Sequence, residues 1–203
     1  MNKDMPVISL QRLPVYLNYL KTLPADTVYV SSGSIAKGLD LGEVLVRKDL
    51  AFTDAVGKPR VGYVKDELIK ALGDFLGCNA KRTAVLVGAG ALGRAVLSYG
   101  GFKNYGIEIA CAFDSDDKKC ETEIGGKKVY AVSRMAEIIR KTQASLAILC
   151  VPSLSAQEVA DALIDCGVKA ILNFAPVMIK CKNGAVVRHI DVAANLAVLS
   201  SMI

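Results

Sequence analysis

The segment that most restricts the fold is a short apolar run, Ala84-Val85-Leu86-Val87, that passes directly into Gly88-Ala89-Gly90-Ala91-Leu92-Gly93. A helical pattern follows over Arg94–Tyr99, and a second apolar run, Ile107–Phe113, ends at Asp114. Strand, glycine turn, helix and strand in that order predict a βαβ unit whose helix begins at the turn. Each glycine has a mechanical job there. Gly88 makes the tight turn, Gly90 lets the backbone approach a pyrophosphate, and Gly93 lets helix and strand pack closely. Ala91 and Leu92 fall at the helix start, where unpaired N–H groups and the positive dipole end favour phosphate. Asp114 lies 26 positions beyond Gly88. It is placed to accept hydrogen bonds from ribose hydroxyls and to repel a 2′-phosphate, which favours NAD(H) over NADP(H). Lys118 and Lys119 stand close enough to weaken that preference.

The same period continues downstream. Further strands are expected at Lys128–Ala131, Leu146–Val151, Ala170–Asn173 and Ala185–His189, with helical stretches at Ser133–Lys141 and Ser155–Cys166. Strands alternating with helices predict a parallel α/β sheet of the doubly wound, Rossmann kind. The last segment, Asp191–Ile203, leaves almost no polar face. A helix so apolar must be buried, against a partner subunit or against its own domain.

Residues 1–80 have a different period. Leu10, Leu13, Leu17 and Leu20 recur at helical spacing, and Pro14 belongs near the first turn of that helix. Ser32 is the expected cap of a short helix over Ile35–Leu39, followed by a turn at Gly38, Asp40 and Gly42. A second helix, about Glu43–Phe52, carries Arg47 and Lys48, and a Gly/Pro-rich hairpin then presents Lys58 and Arg60. Lys65–Leu76 is a further amphipathic helix, closed by Gly77. Two helices, a tight turn and a basic hairpin read as a winged helix-turn-helix, with one helix for the major groove and the hairpin for phosphates or the minor groove. As a bare pattern it reads equally as a helical interaction domain.

Composition excludes several classes. Over 203 residues, 52% are hydrophobic and 22% charged, which builds a core and excludes a mainly disordered chain. The net charge of +5 permits a polyanionic partner without demanding one. No apolar run approaches the ~20 residues of a membrane span, and the first ten residues lack the apolar core of an export signal. Six scattered cysteines without a C-x-x-C pair suggest reduced thiols and a cytoplasmic setting. One histidine leaves a His-rich metal site without ligands, and no catalytic residue is expected.

The chain resembles the Rex family of redox-sensing transcriptional repressors along nearly its whole length. The likeness is carried by RLPVYLNYL, VRKDLAF, VGKPRVGY, VGAGALGRAVLSYGGF, IGGKKVY, AILCVP, GVKAILNFAPV and the ending VVRHIDVAANLAVLS. The resemblance implies a homodimer, with residues 1–80 a winged helix that binds palindromic, A·T-rich operator DNA. Residues 81–188 would form a Rossmann domain sensing NADH against NAD⁺, and residues 189–203 a helix swapped between subunits. NADH would release the repressor from double-stranded DNA. By position, Arg47, Lys48, Lys58 and Arg60 would contact DNA. Gly88, Gly90, Ala91, Leu92, Gly93, Asp114, Val151 and Pro152 would hold the dinucleotide. Arg12, Tyr99 and Asp191 match the family's switch, in which Asp191 pairs with Arg12 in one state and hydrogen-bonds Tyr99 in the other. The wing segment FTDAVGKPRVGY is poorer in glycine and aromatics than the family's usual form, and Val192 replaces a larger residue.

Three other readings compete. A small NAD-dependent dehydrogenase would need an acid or base near the nicotinamide. His189 is the only histidine, and neither S-x-x-x-Y-x-x-x-K nor a His-Asp pair occurs. A CoA-binding module would share the glycine turn, and a thiol switch would need a cysteine in an activating setting.

Overall fold

The computed structural model describes residues 5–203, which fall into two compact units, one ending at Ala80 and the other running Lys81–Ile203. In the first, helix α1 (Val7–Thr22) buries Leu13, Tyr16, Leu17 and Leu20 on one face. It packs on α2 (Ser32–Gly38), α3 (Glu43–Leu50) and α4 (Lys65–Leu76), which contribute Ile35, Val46, Leu50, Leu68 and Leu72 to the buried set. Pro14 corrects the expectation of a first-turn proline: it stands in the middle of α1. Proline removes the bond that residue 14 would give the Leu10 carbonyl, and burial of the four neighbouring side chains outweighs that loss. The cap of α2 is also one residue earlier than expected. Ser31 accepts from the Ser34 N–H while the Ser34 hydroxyl accepts from the Ser31 N–H, a reciprocal capping box.

The basic hairpin differs from its expected form as well. Lys58 and Gly62 exchange backbone bonds at 2.7 and 2.9 Å around Pro59, Arg60 and Val61, with Arg60 at φ 63°. Beyond that tight loop, strand β2 (Tyr63–Val64) pairs antiparallel with β1 (Tyr29–Val30), which precedes α2. Gly62, at φ 97°, lies so close to β1 that a Cβ would stand 2.5 Å from the Val30 carbonyl oxygen. Helix α4 keeps its expected bounds and ends at Gly77 in the left-handed region, φ 73°.

The second unit is built on a seven-stranded sheet. Its strands are β3 (Arg82–Val87), β4 (Ile107–Asp114), β5 (Glu123–Ile124), β6 (Lys127–Ala131), β7 (Leu146–Leu149), β8 (Ala170–Asn173) and β9 (Val186–His189). The spatial order is β5-β6-β4-β3-β7-β8-β9, all parallel except the edge strand β5. Leaving β5 aside, that is the 3-2-1-4-5-6 order of the doubly wound dinucleotide-binding fold. The helices are α5 (Ala91–Ser98), α6 (Met135–Thr142), α7 (Ser153–Asp165) and α8 (Val192–Ser200).

Central strand β3 shows why the sheet is two-sided. Val85 and Val87 join one core with Phe113, Leu149, Ile138 of α6 and Leu163 of α7. Ala84 and Leu86 join the other with Ala112, Ile148 and Leu97 of α5. Alternate residues therefore face opposite layers, and all four are apolar because both layers are dry. Edge strand β5 and the 3-10 turns at Gly100–Tyr105 and Val132–Arg134 are additions to the expected pattern. Strand β7 ends at Leu149, two residues early, although the Cys150 N–H still donates to the Val87 carbonyl at 2.8 Å. All nine residues of α8 are exposed on this chain.

Candidate functional site

Strands β3 and β7 lie side by side, but the chain leaves them toward opposite edges of the sheet, through α5 and α7. A crevice opens at such a point because the two connections diverge. Here it is a cleft of about 590 Å³, lined by Val87, Gly88 and Gly90 after β3, Asp114 and Lys119 after β4, and Cys150, Val151 and Pro152 after β7.

The three glycines of the turn are required for different reasons. Gly88 sits at φ 99°, and a Cβ there would stand 2.5 Å from the Cys150 carbonyl oxygen. A Cβ on Gly93 would collide with the Gly88 carbonyl oxygen itself. Gly90 has ordinary dihedrals, φ −75° and ψ −164°, and a Cβ on it would meet nothing within 4 Å. Gly88 and Gly93 are thus demanded by the chain, whereas the space above Gly90 is open and belongs to the cleft. Gly90 is also the N-cap of α5, and no side chain caps that helix end. The amides of its first turn are left for an anionic ligand.

Asp114 has three partners within the protein itself. Its carboxylate accepts the Ala89 N–H at 2.7 Å, the Asp116 N–H at 2.9 Å and the Lys119 ammonium at 3.2 Å. Burial alone would raise its pKa, but the Asp116 and Ala89 amides and the Lys119 cation outweigh it and hold the carboxyl below the usual range. It therefore stays ionised and ties the glycine turn to the end of β4. Burial pushes the Cys150 thiol up to about 11, so a protonated sulfhydryl faces the cleft.

In the first unit, α3 buries Val46, Asp49 and Leu50 and exposes Arg47 and Lys48. Asp49 is nearly inaccessible, yet charged. Arg12 of α1 grips it with two donors at 2.6 and 2.8 Å, and the Tyr16 hydroxyl donates to it at 2.6 Å. Desolvation works against the charge, but hydrogen bonds from Arg12, Tyr16 and Ser9 prevail and lower its pKa. Burial, then Asp49, pushes the Tyr16 phenol up to about 12. Lys58 and Arg60 are exposed at the hairpin tip, with the Lys58 ammonium 5.8 Å from the centre of the Tyr29 ring.

A cleft at the switch point, in a chain with a separate helical unit that exposes cations on one helix and a hairpin, has close parallels among known proteins. A protein from Treponema denticola named redox-sensing transcriptional repressor Rex is 40% identical over 195 residues, 96% of this chain and 93% of that one. The chain belongs to the Rex family. A Rex protein of Porphyromonas gingivalis is also 40% identical, over 200 residues, 98% of this chain and 92% of its own. The family model for a putative DNA-binding protein N-terminus matches residues 4–51, and that for a CoA binding domain matches residues 79–177. The Rex-family repressor RSP in complex with NAD⁺ and operator DNA superposes with a TM-score of 0.93, at 27% identity over 99% of this chain and 93% of that one. RSP in complex with NADH matches with a TM-score of 0.88, over 99% and 95%.

Of the expected Rex cofactor residues, Gly88, Gly90, Asp114, Val151 and Pro152 line the cleft together. Gly93 is buried behind the turn, and Ala91 and Leu92 open the helix beside it. Lys119, Cys150 and Ser155 also line it, unforeseen except for the proximity of Lys119. Each residue of the expected switch has a local contact within this chain. Arg12 is engaged by Asp49, Asp191 accepts the Ala194 N–H at 2.8 Å as the cap of α8, and exposed Tyr99 lies edge-on to Phe102. A bidentate bridge to a nearly buried carboxylate makes Arg12 a structural clamp between α1 and α3.

Gly93→Ala should lower the thermal midpoint of the second unit by several degrees, whereas Gly90→Ala should melt like the parent and weaken NADH binding at least tenfold by fluorescence titration. Equal melting losses would contradict the assignment of open space to Gly90. Because Asp49 titrates lower in the folded chain than in the unfolded one, its contribution is complete above the ordinary pKa of about 3.9 and vanishes as pH falls through the folded value. Asp49→Asn should therefore reduce stability near neutral pH and make the acid limb of the urea-stability curve shallower below about pH 4. An unaltered acid limb would remove the clamp from the account.

Proposed function

We propose that this chain represses transcription by reading the NADH/NAD⁺ ratio, binding operator DNA when NADH is low and leaving it when NADH binds. The observation that carries the cofactor half is the open space over Gly90, an N-cap that needs no side chain for the protein's own packing. It suits a pyrophosphate laid against the amides of Ala91 and Leu92, with the ribose toward Asp114 and the remaining lining from Val151 and Pro152. The near full-length likeness to RSP bound to NAD⁺ and operator DNA supports both halves.

On this reading, residues 1–80 bind a palindromic, A·T-rich duplex through Arg47 and Lys48 of α3 and Lys58 and Arg60 of the wing. Residues 81–188 hold the dinucleotide. Residues 189–203, whose helix α8 exposes Leu196, Val198 and Leu199, pass to a second copy and make a homodimer. Asp191 heads that helix and is the residue that ligand binding would move between partners, Tyr99 among them, while Arg12 steadies α3. A carboxylate with alternative partners is bistable, and a ligand biases it by its differential affinity for the two states. Arg12 is its other partner, a guanidinium whose Nε and Nη2 hold Asp49 in this structure.

The chain works as a sensor without turning NADH over. Its lone histidine, His189, has its Nδ1 3.0 Å from the Asn173 amide nitrogen and does not line the cleft. Among the described residues no helix is long and apolar enough to cross a membrane, and no cluster of potential ligands could hold a metal ion. The six cysteines are free, in keeping with work in the cytoplasm.

Asp114→Ala should weaken NADH binding at least tenfold and leave DNA affinity without NADH unchanged. Arg47→Ala or Lys48→Ala should do the reverse and lower the slope of log affinity against log salt by about one for each phosphate no longer neutralised. Calorimetry with NADH and a salt series of DNA titrations measure both. Equal loss of both activities in either variant would contradict the division of labour.

A further inference from the structure

Helix α3 exposes more than cations. Successive residues advance by about 100° around a helix, so the buried set of Val46, Asp49 and Leu50 puts Val44 and Lys48 at the centre of the opposite face. Arg47 and Leu45 flank them. Val44 is 54% exposed and Leu45 37%, both in the first turn of the helix. The helix's two acids do not oppose an anionic partner from this face, since Glu43 is drawn back to the Ser32 hydroxyl at 3.3 Å and Asp49 is buried under Arg12. The face is therefore an aliphatic patch bordered by cations, with Lys58 and Arg60 exposed on the wing of the same unit.

Such a face fits a polyanion that carries apolar groups between its charges. Duplex DNA offers one in the major groove, the C5-methyl of thymine, and a recognition helix reads base edges with its N-terminal residues. We propose that Val44, supported by Leu45, is a specificity determinant that reads thymine methyls, while Arg47 and Lys48 engage phosphates or guanine edges. This rests on the reading of α3 as the DNA-contacting helix. It assigns the preference for A·T pairs at those positions to methyl contact in the major groove, independent of any preference the wing has for a narrow minor groove.

The test separates the methyl from everything else. A duplex would be selected with the full-length protein from a pool of randomised inverted repeats, then remade with deoxyuridine replacing deoxythymidine one position at a time. Each replacement deletes one methyl and leaves pairing and phosphates intact. Binding, read by fluorescence anisotropy, should fall about fourfold at one or two thymines per half-site, the effect of removing one buried methyl-sized group. Val44→Ala or the Val44→Ala, Leu45→Ala double variant should melt like the parent and bind the two duplexes alike. Uracil duplexes bound as tightly as thymine duplexes, or a double variant that keeps full discrimination, would overturn the methyl reading. Arg47→Ala would still weaken binding in that case, leaving the DNA reading intact. A pool from which the protein selects nothing would overturn the DNA reading and this inference with it.

Discussion

The close approach of Gly93 to the Gly88 carbonyl sets the geometry of the second unit. No side chain fits between them, so α5 lies against the end of β3 as closely as backbone allows. That approach turns the start of α5 toward the switch point of the sheet, with its N-cap Gly90 lining the cleft. Residues later in the chain then complete the site around a turn whose position is already fixed. The Ala89 N–H is held by Asp114, and the Cys150 carbonyl leaves room for Gly88 alone.

Each unit uses a buried carboxylate to hold its working element. Asp114 accepts two backbone amides and an ammonium at the glycine turn, and Asp49 accepts a guanidinium and a phenol behind α3. In both, burial disfavours the charge and directed donors restore it. A carboxylate held this way is intolerant of the removal of one donor, because the remaining charge would be buried and unpaired.

Much of this is legible from local pattern. The glycine turn, the strand ending at Asp114, the run of parallel strands and helix α4 with Gly77 all follow from spacing within a few residues. What local pattern misses depends on partners distant in sequence. Arg12 and Asp49 are 37 residues apart, and nothing in either segment reveals that one neutralises the other. The pairing of Tyr29–Val30 with Tyr63–Val64 joins segments that patterning keeps separate, so the wing reads as a self-contained hairpin. Ser31 rather than Ser32 caps α2 because Ser34 can return its bond, a choice that three neighbouring serines conceal. Pro14 sits inside α1 rather than at its start for an energetic reason, since the buried face of that helix outweighs one missing hydrogen bond. Cys150 lines the cleft just past β7, which stops two residues before its apolar run does.

Coupling between the two units would make DNA release depend on the dinucleotide bound, and titration of the protein–DNA complex measures that dependence. A labelled palindromic, A·T-rich duplex bound to the protein would be followed by fluorescence anisotropy while NADH and, separately, NAD⁺ are added. Coupling predicts release by NADH at concentrations where NAD⁺ leaves the complex largely intact. A complex that persists while NADH saturates the cleft would contradict it.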